Sequence, residues 1–434
     1  MTTITALNAD PRSLWRATSA SEVDTYALEE PIEADVVVVG AGFTGLRAAL
    51  ELAQANCRVV VLESNFVGWG ASGRNGGQVN PMPPFNGPAE LYQAVGPVYG
   101  ERITELYLDS ADELFGLIKD HNIECGARQD GWIRVDHSAT ARKQNAANAS
   151  AWNQIRPVFE QVEGDRLVQM TGTHSYTSAV VNSVGGAVHP YNLAHGLAAA
   201  AMRAGAEIFT DSPVKTMTRQ EGRWHVATPN GRVVCERVLL CTNGYTDPLY
   251  PGLEKSVVPL VSIQVASDPL SEQQVGHLLP GGQTISDSRR VIMFARREPD
   301  NRFVYGSLGQ ANRHGVISGF ETLINDLRRV FPSLRNVEWK YRWGGHVAIT
   351  ADHIPHMHEP EPGVLAGLGY NGRGVAMSHV MGRLLAERAI GKAAEDLPIP
   401  VTAIKGFPMH AAHRLGSRIV AEYMRFRDRL EFRP

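Results

Sequence analysis

The chain has 434 residues, of which 43% are hydrophobic and 20% charged. That composition supports one elaborated or two large globular domains and excludes a disordered or low-complexity protein. Lys and Arg number 42 against 45 Asp and Glu, a formal charge of −3, so nothing favours nucleic acid or an anionic membrane and a small-molecule partner is expected.

The first 33 residues read as an N-terminal extension. They lack the charged segment followed by an apolar one that marks a leader, and no later stretch has the ~18 apolar residues of a membrane span. The four cysteines, Cys57, Cys125, Cys235 and Cys241, form no CxxC pair and no metal-like spacing with histidine. They read as buried free thiols in a reducing, cytoplasmic setting, with no metal site.

Residues 34–64 change period as they go. Val36 to Val39 suit a strand buried on both faces. Gly40-Ala41-Gly42-Phe43-Thr44-Gly45 follows, then Leu46, Ala49, Leu50 and Ala53 at helical spacing, then Val59 to Leu62 ending in Glu63-Ser64. Strand, glycine turn, helix, strand is the dinucleotide fingerprint: Gly40 for the tight turn, Gly42 for close approach of a pyrophosphate, Gly45 for helix–strand packing. The helix N-terminus would hold the phosphates, and Glu63 is placed to accept hydrogen bonds from a ribose diol. The motif does not choose between NAD and FAD.

The next segment, GWGASGRNGGQ at residues 68–78, departs from the repeated βαβ units of a nicotinamide domain. Gly68, Gly70, Gly73, Gly76 and Gly77, with Ala71 and Ser72 among them, leave bare amides where a backbone nest can meet phosphate or the edge of a ring. A flexible linker is the alternative, which Trp69, Arg74 and Asn75 disfavour.

Further along, His189-Pro190 precedes a helix from about Leu193 and a strand toward Val214. Val238 to Cys241 read as a buried strand ending at Thr242-Asn243-Gly244, a turn suited to touching the dinucleotide from the far side. WIRVD, VVPLVSIQVASD, RVIMFARREPDNRFVYGSL and NVEWKYRWGGHVAI read as strands separated by turn residues. Residues 363–391 repeat strand, glycine turn and long helix, with Gly369, Tyr370, Asn371, Gly372, Arg373 and Gly374 in the turn. That helix N-terminus would favour negative charge.

Taken in order, these residues resemble the D-amino-acid-oxidase family of FAD enzymes from about Leu14 to Leu430. The loop at 68–78 is most similar to the γ-glutamylputrescine oxidoreductase branch. The resemblance implies an α/β fold in two parts. A Rossmann-like FAD-binding domain would be assembled from 34–95, 180–250 and 340–395. An antiparallel-sheet substrate domain would come from 96–179 and 251–339, with 396–434 as a helical tail.

It also implies FAD chemistry at a C–N bond: an amine or amino acid is oxidised to an imine that hydrolyses, and electrons pass to O2 or another acceptor. A γ-glutamylputrescine-like amine is favoured, with an L-pipecolate- or sarcosine-type secondary amino acid as the alternative. A flavin monooxygenase or a non-catalytic flavin-binding subunit would be readings of another class. FAD is expected to be noncovalent, because WGGHVAITAD (343–352) lacks the cysteine that tethers flavin in related sarcosine oxidases. Their substrate-binding Lys is replaced here by the stretch ending Val375-Ala376.

Gln78, Gly345 and the residues of the three glycine turns are expected around the cofactor. His346, Tyr370 and Arg296 are the candidates for catalysis. His346 has an alternative reading as a structural histidine, and Arg296 and Arg302 either hold a distal carboxylate or are solvated surface arginines.

Overall fold

The structure is a computed structural model that describes residues 13–407, 410 and 413–432. The valine run forms the strand Val36–Val39, every residue of it buried, inside a seven-stranded sheet. Arg237–Leu240 and Val59–Leu62 flank it in parallel, and Val364–Leu368 and Glu207–Phe209 extend the sheet on either side. His356–Glu361 and Val401–Thr402 complete one edge.

One face of this sheet is covered by the helices Phe43–Gln54, Pro190–Arg203 and Gly374–Ala389, whose apolar stripes form a single core with the long helix Pro88–Asp120. The helices that follow the first and last glycine turns cross at Gly382, where a Cβ would lie 2.5 Å from the Thr44 carbonyl oxygen. The other face packs on a four-stranded sheet in the order Pro31–Glu33, Arg232–Cys235, Arg223–Ala227, Thr216–Gln220.

The second large sheet has eight strands in the order Tyr341–Ile349, Val258–Ala266, Phe303–Leu308, Phe294–Arg297, Thr284–Asp287, Trp132–Val135, Ser178–Asn182, Phe159–Glu163. All neighbours are antiparallel except Thr284–Asp287 with Trp132–Val135. All four segments read as strands in the middle of the sequence lie in it. The helix Phe320–Val330 packs its apolar stripe on this sheet through Leu323, Ile324 and Leu327.

The sheets divide the chain differently from the expected segments. Tyr341–Ile349, placed with the FAD segments, pairs along nine residues with Val258–Ala266 and so belongs to the eight-stranded sheet. Ser178–Asn182 does the same beside Trp132–Val135. Conversely, Ile103, Leu106 and Leu114 of the long helix lie in the core of the seven-stranded sheet, although 96–179 was expected in the substrate domain.

Of the extension, Leu14–Ala17 forms a helical turn whose Arg16 amide is capped by Ser13 Oγ and whose Trp15 is fully buried. The tail carries the helix His413–Glu431. No helix among the described residues is long and apolar enough to cross a membrane.

Candidate active site

A cavity of about 730 Å³ lies between the two large sheets, lined by all three glycine turns. At one end stands the helix Phe43–Gln54, with Gly40, Gly42, Phe43 and Thr44 on the cavity wall. Gly45 is beneath the helix instead, where a Cβ would lie 2.0 Å from the Gly40 carbonyl oxygen. The Phe43 amide donates to Ser72 Oγ at 2.9 Å, so the glycine loop caps the helix it faces.

Glu63, also on the wall, accepts the Ala41 amide at 2.9 Å and the Asn65 amide at 3.0 Å. Burial pushes its carboxyl above the ordinary glutamate value, and the two amides oppose that rise. Ser64 and Val214 line the cavity near this end.

The loop 68–78 is packed against protein on its far side. A Cβ on Gly76 would lie 2.7 Å from the Phe294 ring. Gly77 has φ +64°, and a Cβ there would lie 2.3 Å from Arg296 Nη1 and from the Val188 carbonyl oxygen. The glycines that were read as making room for a ligand are therefore demanded at these two positions by neighbouring residues of the chain itself.

The polar side chains of the loop fold it back on itself. Asn75 Nδ2 donates to the Ala71 and Ser72 carbonyls at 3.1 and 2.8 Å, and its Oδ1 accepts the Gly77 amide at 2.7 Å. Arg74 Nε donates to the Trp69 carbonyl at 2.7 Å, with the guanidinium over the Trp69 indole. Gln78 Nε2 donates to the Ala295 carbonyl at 2.9 Å and tethers the loop to the eight-stranded sheet. Gly70, Ala71, Ser72, Arg74, Asn75, Gly76 and Gln78 still line the cavity, whereas Gly77 does not.

Thr242 and Asn243 line the cavity at the end of the strand Arg237–Leu240, and Asn243 Oδ1 accepts the Gly369 amide at 2.9 Å. Gly244 and Gly369 stand behind the wall: a Cβ on Gly244 would lie 3.1 Å from His346 Cβ. His346 and Gly345 are on the wall, with the His346 amide donating to Tyr245 OH at 3.2 Å.

Tyr370 also reaches the cavity, but its hydroxyl is 2.6 Å from Thr44 Oγ1 and it is buried, which pushes its pKa up. Asn371, at φ +53°, uses its side chain to bind the Thr350 amide and the Gly369 carbonyl at 2.9 and 2.6 Å. Gly372, Arg373 and Gly374 complete the turn on the cavity wall and start the helix Gly374–Ala389.

The sequence profile of the family described as "DAO: FAD dependent oxidoreductase" matches residues 35–388. The chain belongs to this family. It is 30% identical over 413 residues to the "Probable oxidoreductase OrdL" of Haemophilus influenzae, covering 91% of this chain and 92% of that protein. It is 29% identical over 396 residues to the γ-glutamylputrescine oxidoreductase of Escherichia coli, covering 88% and 89%. The fold matches the crystal structure of glycine oxidase from Geobacillus kaustophilus with a TM-score of 0.73 at 21% identity, over 86% of this chain and 100% of that one.

This member of the DAO family is thus an FAD-dependent oxidoreductase. Its residues fit the cofactor: two helix N-termini and a buried carboxylate at a strand end share one cavity wall, the donor and acceptor set that a pyrophosphate and a ribose require.

Arg296 departs from its expected role. It does not line the cavity. It is 1% exposed, is paired with Glu298, and its Nη1 donates to the Gly77 and Val188 carbonyls at 2.9 and 2.7 Å. The guanidinium is a clamp on the glycine loop of the FAD site, with no freedom to meet a substrate carboxylate. Arg302 pairs with the neighbouring Asp300.

Sequence reading missed Trp15, whose indole donates to the Asn75 carbonyl at 2.8 Å and lies under the Arg296 guanidinium. A lone Trp behind a capping Ser in the extension was the available signal. Gln264 was also missed: it lines the cavity and donates to the Arg74 carbonyl at 2.6 Å from a strand that carried no motif.

Proposed function

We propose that this DAO-family protein oxidises the C–N bond of an amine, with a γ-glutamylputrescine-like amine the favoured substrate. One observation carries the reading. The cavity runs from Glu63 and the two helix N-termini to a wall beside the eight-stranded sheet whose side chains include the uncharged Leu260, Ser262, Gln264, Ile292 and Phe294, with Arg290 next to them. Burial against such a wall disfavours the charged form of an amine and leaves the nitrogen lone pair that C–N oxidation needs. The identity to γ-glutamylputrescine oxidoreductase over most of both chains supports the substrate class.

FAD, when bound, supplies the two-electron acceptor that takes a hydride equivalent from the carbon next to nitrogen. The iminium left behind adds water and releases ammonia, so the products are an aldehyde, ammonia and the reduced cofactor, which O2 or another acceptor reoxidises. The pyrophosphate would be held at the N-terminus of the helix Phe43–Gln54, where Ser72 Oγ already takes the Phe43 amide, and the ribose by Glu63. The flavin is assigned to the space between Arg74–Gln78 and Gly345–His346. The cofactor is noncovalent in this reading, and a cytoplasmic setting is in keeping with the four free cysteines.

The roles of the protein are to orient the amine and exclude water. His346, a histidine lining the cavity, is the candidate to take the ammonium proton before oxidation in this reading. The test is anaerobic loss of flavin absorbance. Bleaching by γ-glutamylputrescine supports the reading, and bleaching by L-pipecolate or sarcosine instead moves the substrate to secondary amino acids. Bleaching by NAD(P)H alone indicates a monooxygenase. A flavin that none of them reduces sinks the proposal in favour of a non-catalytic subunit.

A further inference from the structure

The C-terminal helix His413–Glu431 has two unlike faces. Its inner face is tied to the body of the protein. Asp428 is buried and accepts the Arg290 and Val291 amides at 3.1 and 2.9 Å, and Phe432, just beyond the helix, is buried against the Tyr176 ring. The outer face is apolar: Ile419, Val420, Tyr423, Phe426 and Leu430 are 48 to 61% exposed. At about 100° per residue, Ile419, Tyr423, Phe426 and Leu430 fall in one sector about 60° wide, on the side away from Asp428 and Phe432.

Twelve large apolar side chains are exposed among the described residues, and five of them lie between Ile419 and Leu430, while the others are spread from Tyr26 to Ile390. Exposed apolar residues are ordinary when single, whereas a contiguous stripe marks a contact surface. The stripe advances in steps of four, three and four residues. That is the a and d spacing of a helix that packs on another helix.

The charges beside the stripe fit the same geometry. Glu422 and Arg429 stand on one flank, seven residues apart and opposite in sign. Glu422 is exposed, although it also meets Arg425 and accepts Gln310 Nε2 at 2.8 Å. Arg429 is exposed and has no carboxylate partner among the described residues. On the other flank, Arg427 is already bonded to Glu431 and to Tyr423 OH, at 3.1 and 3.2 Å.

We propose that this stripe is the seam of a homodimer, in which the C-terminal helix packs antiparallel on the same helix of a second copy about a two-fold axis. Antiparallel pairing sets Ile419 against the partner subunit's Leu430, Tyr423 against the partner subunit's Phe426, and Glu422 beside the partner subunit's Arg429, each contact made twice. A parallel pair would bring Glu422 to the partner subunit's Arg427 instead, a guanidinium that is already engaged. Five side chains about half exposed offer roughly 500 Å² per copy, so a pair covers about 1,000 Å², where specific interfaces begin. A lipid surface would be matched by cations on both flanks of the stripe, and Glu422 breaks that pattern. The inner face of the same helix holds Arg290 of the large cavity through Asp428 at 3.0 Å, so the pairing braces a residue of the cavity wall.

The experiment is the mass of the full-length holoenzyme by light scattering over a dilution series. Wild type is expected to be a dimer at micromolar concentration. Phe426→Asp, which puts a charge into the seam, should raise the dimer Kd roughly thirtyfold or more with flavin content unchanged. Glu422→Arg alone should raise it about three- to tenfold, and adding Arg429→Glu should restore pairing, because the ion pair is rebuilt with its signs exchanged. This charge series still decides the question if Phe426→Asp fails to fold. A monomeric wild type overturns the proposal, and if that monomer floats with phosphatidylglycerol vesicles the stripe belongs to a lipid surface. A dimer undisturbed by Phe426→Asp, or a double variant that pairs no better than Glu422→Arg, overturns it as well.

Discussion

The hydroxyls of Thr44 and Tyr370 lie 2.6 Å apart and join the helix of the first glycine turn to the loop that begins the last one. Tyr370 is thereby a tie between two cofactor-facing elements 326 residues apart in sequence. Its phenol has been pushed to a higher pKa by burial, which makes it a poor base at neutral pH.

Tyr370→Phe is therefore expected to cost about 0.5–1.5 kcal/mol of stability, the usual worth of one buried hydrogen bond, and to change kcat only a few-fold. Thr44→Val with Tyr370→Phe should cost little more than either alone, because both remove the same bond. A kcat loss on the order of a hundredfold or more in Tyr370→Phe, with the melting temperature unchanged, would return the residue to the chemistry.

The packing around Gly76 and Gly77 predicts that substitutions there damage the protein before they damage cofactor binding. Gly76→Val meets the Phe294 ring and Gly77→Ala meets Arg296 in a backbone conformation that L side chains avoid. Overpacking of this kind costs about 1–3 kcal/mol. Melting temperatures of the apoprotein should fall for both variants. Gly205→Ala shares a positive φ but has nothing within 4 Å, so it isolates the backbone contribution. Apoprotein stability equal to wild type in Gly76→Val would mean that the glycine is there for the ligand.

The contrast shows what was legible in the sequence. The strand Val36–Val39, its glycine turn and Glu63 could be read because each depends on neighbours within about thirty residues, and one local unit imposes one pattern. The strands of the eight-stranded sheet were legible from β-branched runs and turn residues, but their membership was not. Nothing local says that Tyr341–Ile349 pairs with Val258–Ala266 rather than joining the sheet it leads into. The role of Arg296 was hidden for the same reason: its partners at Gly77 and Val188 come from distant segments, and an arginine on a strand looks alike whether it clamps a loop or faces a ligand.

Glu63 links cofactor binding to pH. Burial raises its folded-state pKa above that of an ordinary glutamate. For an acid shifted in that direction, the contribution to stability is present below the unfolded value and is lost as pH rises through the folded one. Ribose hydroxyls donate only to the ionised carboxylate in full, so FAD binding favours proton release and tightens over the same window. The Kd for FAD, followed by quenching of its fluorescence, should fall as pH is raised from about 4.5 toward neutrality. Glu63→Gln should bind roughly ten- to a hundredfold more weakly with a flat profile. A wild-type profile as flat as that of the variant would take Glu63 out of the linkage.

Arg296 and Glu298 form a buried pair whose loss should be asymmetric. The Arg side chain is 2% exposed and the Glu side chain 11%. Arg296→Met leaves the Glu298 carboxylate without its paired guanidinium and takes the Arg296 donor from the Gly77 and Val188 carbonyls, so a cost of about 3–5 kcal/mol is expected. Arg296→Met with Glu298→Met should recover much of it, because the Glu298 carboxylate is then no longer left without its guanidinium. With the clamp gone, the loop that carries Arg74 to Gln78 loses its hold on the strand behind it, and the single variant should bind FAD more weakly in proportion to its loss of stability. The opposing view, in which Arg296 grips a distal carboxylate, predicts a different signature: a melting temperature near wild type and a KM raised only for substrates bearing that carboxylate. Measuring the apoprotein melt beside the KM values of a carboxylate-bearing and a carboxylate-free amine separates the two, and a stable Arg296→Met protein with a selective KM effect would sink the clamp.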